Sequence, residues 1–171
     1  MLAEDSNVQL GDCGGKENVA EGGARSAQVA RELEEAFREL VAYVQDAAGS
    51  KAFWPFEEEL RGRVFHLARL FLTLFLALSS ERLEVPARQK VGRKEFRRQP
   101  GKSRELKTFF GPVRYWRAYM FQLNGRGGGY YPLDREFGLS RDGCSLGVLG
   151  VHLATKMSYS AAAELMSAFP G

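Results

Sequence analysis

The sequence predicts an α+β fold, mostly α, with a long N-terminal helical hairpin, a small β-hairpin unit and a C-terminal helix pair. Three observations carry this. Two stretches before Glu84 repeat apolar residues at alternating spacings of four and three, the period of a helical seam. The stretch Leu106 to Leu139 holds the densest aromatic content, set around Phe-Gly-Pro, which suits strands joined by a turn. Two short apolar periods then run to Phe169.

Residues 1–25 are rich in Gly, Asp, Glu and Asn without periodicity, so a disordered tail is expected there. A helical hairpin is expected over 26–84. Its first helix starts near Ser26 as N-cap, and Val29, Leu33, Ala36, Leu40, Tyr43 and Ala47 form an a/d seam that Gly49-Ser50 ends. Its second helix starts at Trp54-Pro55, where proline loses no intrahelical bond, and Glu57 to Glu59 favour the positive end of the dipole. Leu60, Val64, Leu67, Phe71, Leu74 and Leu78 repeat the seam, and Phe65, Leu70, Leu72 and Phe75 widen the apolar face beyond one partner. Two arrangements fit that surplus: a hairpin whose seams cover each other, or a hairpin that also pairs with a second copy as a homodimer. His66 has no partner in view and reads as a packing or surface histidine.

Residues 85–103 read as a basic linker punctuated by Gly92, Pro100 and Gly101, and 104–139 as the β-hairpin unit. Its strands are expected over Arg104 to Phe109 and Val113 to Gln122, on either side of Phe110-Gly111-Pro112. In the second strand Val113, Tyr115, Arg117, Tyr119 and Phe121 share one face, and Arg114, Trp116, Ala118, Met120 and Gln122 the other. These aromatic residues read as core or as a base-stacking platform. The Gly-rich loop at Asn124 to Gly129 lacks the Gly-Lys-Ser/Thr ending of a phosphate loop. Asp134 reads as a turn cap or the partner of a nearby arginine. Residues 140–171 are expected to form a helix pair, one helix capped by Ser145 and the next by Ser158 or Ser160. The pair is either the start of a helix-turn-helix or two ordinary packed helices.

Charge and cysteine content narrow the function. From Arg82 to Arg126 there are 13 Lys and Arg against 3 Asp and Glu, while the rest of the chain has 11 against 18. A basic middle between acidic flanks points to a polyanion partner. The candidate DNA contacts are Arg93, Lys94, Arg97, Arg98, Lys102 and Arg104, with Arg114, Trp116 and Arg117 extending the surface. Cys13 and Cys144 stand alone, which excludes a cysteine-rich zinc site and fits free thiols in a reducing cytoplasm. The apolar run Leu70 to Leu78 is about half a membrane span, so no transmembrane segment is expected. No paired carboxylate or His/Cys constellation marks an enzyme, and no metal or cofactor is expected for the chain itself.

The order FFGPVRYWRAYMFQ, GGGYYPLDREFGL and LATKMSYSAAAELMSAF resembles the N-terminal part of ISKra-type insertion-sequence transposases. The resemblance spans about Arg104 to Phe169. It implies DNA transposition, with element-end DNA as partner. In that family an RNase H-like core downstream carries a DDE carboxylate site with two metals, magnesium being expected only there. None of Asp5, Asp12, Asp46, Asp134 or Asp142 matches that catalytic pattern, and the regions that carry zinc-ribbon cysteines in many relatives have none here. The resulting expectation is a non-catalytic DNA-binding or assembly fragment, truncated before the core. The alternatives are a helical protein–protein interaction module, a decayed reading frame, or a complete small hydrolase or nuclease.

Overall fold

The computed structural model describes residues 15–123, 128–139, 153 and 155–167. The fold is α+β, as expected. Helices α1 (Gly15–Ala47) and α2 (Phe53–Arg82) form an antiparallel hairpin. A four-stranded antiparallel meander follows: β1 (Arg88–Val91), β2 (Lys94–Thr108), β3 (Gly111–Gln122) and β4 (Gly129–Tyr130), in that spatial order. A short helix α3 (Pro132–Glu136) packs on β3, and α4 (Tyr159–Ser167) follows.

The α1 seam is where its spacing placed it. Val29, Leu33, Ala36, Leu40, Tyr43 and Ala47 are all covered, and from Arg31 on every residue between them is exposed. Gly49 adopts φ 77 after the last turn, and the Ser50 and Lys51 amides donate back to the Ala47 carbonyl, a glycine stop that occupies the last helical carbonyl. The helix begins at Gly15, so residues 15–25 are not tail. A segment already held by packing extends at one hydrogen bond per added residue, without a new nucleus.

On α2 the seam keeps Leu60, Leu67 and Leu74 of the expected set and differs at the positions between them. Tyr43 stacks on Phe56 at 5.7 Å and lies under the Arg63 guanidinium. At the other end the Ser26 hydroxyl donates to Glu81 at 2.9 Å. These pairs place Phe56, Leu60, Arg63, Leu67, Leu70, Leu74, Ala77 and Glu81 against α1, again at spacings of four and three. Val64 and Phe71, expected in the seam, are exposed. The apolar surplus gives α2 more than one stripe with the right period, and the polar pair at Ser26–Glu81 selects the stripe. His66 is on the surface, its Nδ1 3.4 Å from Arg69 Nη2.

The adjacent side of α2 builds the main core. Leu76, Leu106, Val113, Tyr115 and Leu133 cluster, with Leu72, Leu83 and Leu139 against them. Burying each such leucine contributes about 1.5–3 kcal/mol. Phe65 meets Phe109 and Phe110, the two turn residues between β2 and β3, at 6.1 and 5.7 Å. The turn therefore lies before Gly111-Pro112, not around them. Thr108 Oγ1 donates to the Gly111 carbonyl and accepts from the Phe110 amide, which leaves Gly111 and Pro112 free to start β3. α2 is long and apolar enough to cross a membrane by length and composition alone; here α1 packs on one side of it and the sheet on another.

Residues 85–103 are not a linker. They supply β1, a two-residue turn at Gly92-Arg93 and the first half of β2, with Val91 opposite Lys94. Gly92 at φ 59 supplies the positive φ that twist-matched hairpin turns need. Alternation in ARQKV and KEFRR is a strand period that the density of charge conceals. Between Gln99 and Lys102 β2 carries one extra residue relative to β3. Pro100, with no N–H to donate, fits such a bulge. Gly101 fits for another reason: a Cβ there would lie 2.5 Å from Trp116 Nε1 and 2.7 Å from the Arg117 carbonyl oxygen. Gly101→Ala is expected to cost about 1–3 kcal/mol by overpacking, measured by urea denaturation.

Across the bulge the buried face of the sheet changes. Val113 and Tyr115 are buried on one face of β3, Met120 on the other, beside buried Phe96. Tyr130 on β4 packs edge-on against Phe96 and donates to Gln89 on β1, across two intervening strands. Arg88, Lys90, Arg97 and Phe121 lie on the opposite face of this end.

Ser158 caps α4 as expected, its hydroxyl accepting from the Ala161 amide at 3.3 Å. The helix expected from Ser145, Cys13, Cys144 and residues 124–127 of the Gly-rich loop lie outside the described residues, so the helix-turn-helix alternative has no structural counterpart to weigh.

Candidate nucleic-acid interface

The strand register sorts the nine candidate residues. Arg88 stands directly opposite Arg97, and Lys90 opposite Glu95, on the face of the sheet away from Phe96 and Met120. Arg97 is in turn opposite Phe121, which is partly exposed. Arg93 is in the turn and Lys94 closes it. Arg88, Lys90, Arg93, Lys94 and Arg97 are all exposed, and none has an ion-pair partner among the described residues. Lys102, also exposed, continues the Arg97 face past the bulge, opposite Arg117. Like charges directly across a ladder repel, so the Arg88–Arg97 pair carries an electrostatic cost that an anion laid over it would relieve.

Three of the candidates are turned to structural work instead. Arg104 Nη1 meets Asp134 Oδ2 at 2.9 Å and also donates to the Leu139 carbonyl at 3.4 Å. Arg117 Nη1 pairs with the same carboxylate oxygen, and its guanidinium lies over the Tyr131 ring. The Tyr115 hydroxyl donates to Asp134 Oδ1 at 2.7 Å. These three charged side chains are only 12–14% exposed. Burial pushes the Arg117 pKa below its ordinary value, with Tyr115 and Tyr131 offsetting part of the change. Asp134 is therefore the partner of two arginines, in line with one of its two expected roles. It fastens α3 to the sheet, and Arg104 and Arg117 have no free head for a phosphate. Arg98 is half-buried and donates to the Val85 carbonyl at 3.1 Å, which ties β2 to the segment after α2.

Arg114 and Trp116 do not extend the tip surface. They lie on the other face of β3 from Arg117, and Arg114 is seven positions from Phe121, Arg97's partner, or about 23 Å along the strand. Arg114 is exposed, with Glu105 at 3.9 Å. Trp116 lies under the Arg25 guanidinium of α1 at 4.7 Å. Both line a cleft of about 300 Å³ between the helical hairpin and the sheet, with Gln28, Thr73 and Ser103. The expected surface thus divides into a cationic hairpin tip, a buried arginine–aspartate lock and a separate cleft.

Arg88 and Lys90 belong to the tip although the sequence reading left them out of the contact set. The signal was present: once Gly92 is read as a hairpin turn, the alternation on both sides brings Arg88 level with Arg97. Among the described residues, no three His, Cys, Asp or Glu side chains come together in a way that would hold a metal ion. Comparison with family models, with curated proteins and with solved structures finds no match to this chain.

Proposed function

We propose that this chain binds the phosphate backbone of DNA through the β1–β2 hairpin, as the DNA-binding, non-catalytic part of an insertion-sequence transposase working in the cytoplasm on element-end DNA. The carrying observation is the cationic tip: Arg88 faces Arg97, Lys90, Arg93 and Lys94 surround the turn, Glu95 opposite Lys90 is the one carboxylate between Arg88 and Arg97, and none of the five cations has an ion-pair partner among the described residues. A two-stranded ribbon is narrow enough to enter the major groove, and its arginines and lysines reach phosphates on either side. The transposase assignment rests on the motif order in the sequence. The motif residues Arg117, Tyr119 and Asp134 meet in the fold, Tyr119 packing on Tyr131 beside the Arg117–Asp134 pair. They hold the sheet to α3, so the DNA contacts fall to the hairpin upstream of them.

Titration of a short duplex with the full chain across 50–300 mM salt tests this. Five phosphate contacts give a slope of log K on log salt near −4.5, by about 0.9 per phosphate. A flat salt dependence, or no binding at the lowest salt, would overturn the proposal. Metal-dependent cleavage of the duplex would favour a nuclease instead.

A further inference from the structure

We infer that the outer face of the α1–α2 hairpin docks a second copy of this chain, the two hairpins forming a four-helix bundle. The inference is independent of nucleic acid. The seam pairs fix the level of each residue: Ser26 is beside Glu81, and Tyr43 beside Arg63. At that register Phe37 is level with Phe71, and Val44 with Val64. Each of these four follows a seam position by one residue, and in an antiparallel pair such positions emerge on the same side of both helices. Val41 and Phe75 lie one turn from them on that side. All six are exposed, Phe37 and Phe71 by 57% and 59%, and Phe75 reaches the half-exposed Phe137 at 5.4 Å. The sheet packs against a different side of α2, through Phe65, Leu72 and Leu76.

Area and charge select the occupant. Three half-exposed phenylalanines and three half-exposed valines leave roughly 600 Å² of apolar surface in one stripe, the upper end of what a monomer ordinarily shows. With its polar rim the face comes close to the roughly 800 Å² that each partner gives to a standard interface. That rim holds Glu34, Glu35 and Arg38 on α1 and Glu57, Glu58 and Arg61 on α2, all exposed and of both signs. An anionic lipid surface favours a cationic rim, and a strongly charged peptide favours a rim of one opposite sign. A rim of mixed sign on both helices suits an identical face turned about a two-fold axis, which sets the arginines of one copy against the glutamates of the other. Two rows of side chains at helical spacing also match the grooves of another helix pair.

Sedimentation of the full chain between about 1 and 100 µM tests the inference, since a face of this size gives affinity in or below that range. The wild type is expected to be a dimer. Phe71→Glu and Phe37→Glu, on different helices, are each expected to weaken association about 30-fold or more, the loss expected for a central aromatic anchor. Far-UV circular dichroism should match the wild type, because both side chains are exposed. Val64→Gln is the milder third probe should a glutamate disturb its helix. Lys102→Glu, on the sheet, should leave the dimer intact. A monomeric wild type at 100 µM would overturn the inference, as would a dimer undiminished by all three hairpin changes. Co-sedimentation of the wild type with phosphatidylcholine/phosphatidylglycerol vesicles, lost in Phe71→Glu, would also overturn it and give the face to a membrane.

Discussion

Asp134→Ala is expected to destabilise the protein by about 3–5 kcal/mol, the cost of leaving a buried charge without its partner. Here two charges are stranded, since Arg104 and Arg117 both converge on this carboxylate with 12–14% exposure. The Tyr115 hydroxyl loses its acceptor as well. Because α3 brings Leu133 into the main core, releasing α3 also uncovers Val113 and Leu106. Urea denaturation followed by tyrosine and tryptophan fluorescence measures the loss. Arg117→Met should cost less, because the Arg104–Asp134 pair survives and a methionine of similar length keeps the contact with Tyr131. If Asp134→Ala were the milder of the two, Asp134 would not be the hub of the lock.

Replacing Arg93, Lys94 and Arg97 together by glutamine is expected to lower affinity for duplex DNA on the order of 100-fold near 0.1 M salt and to flatten the salt slope by about three contacts' worth. Stability should hardly change, because all three side chains are exposed and none has an ion-pair partner among the described residues. Removing Arg97 even relieves its repulsion with Arg88. Arg104→Gln should behave in the opposite way, reducing stability while leaving the salt slope of the folded fraction unchanged. Measuring slope and stability on the same variants separates the two groups of arginines. If Arg104→Gln flattened the slope as much as the triple change, the tip would not be the contact surface.

The amino-acid sequence by itself determined the α1 seam, the stop at Gly49, the strands around Val113 to Gln122 and the Ser158 cap. These depend on period and on local backbone chemistry, which a few neighbouring residues settle. The seam of α2 was not legible in the same way, because Leu, Phe and Val occupy several of its sides and more than one stripe has the right spacing. The polar contact between Ser26 and Glu81, 55 residues apart, chooses among them. The fate of each arginine was likewise a tertiary decision. Arg97 and Arg104 look alike in a basic run, yet one faces solvent across from Arg88 and the other reaches a carboxylate 30 residues on. A guanidinium is held or free according to what the fold brings beside it, and composition counts charges without placing their partners.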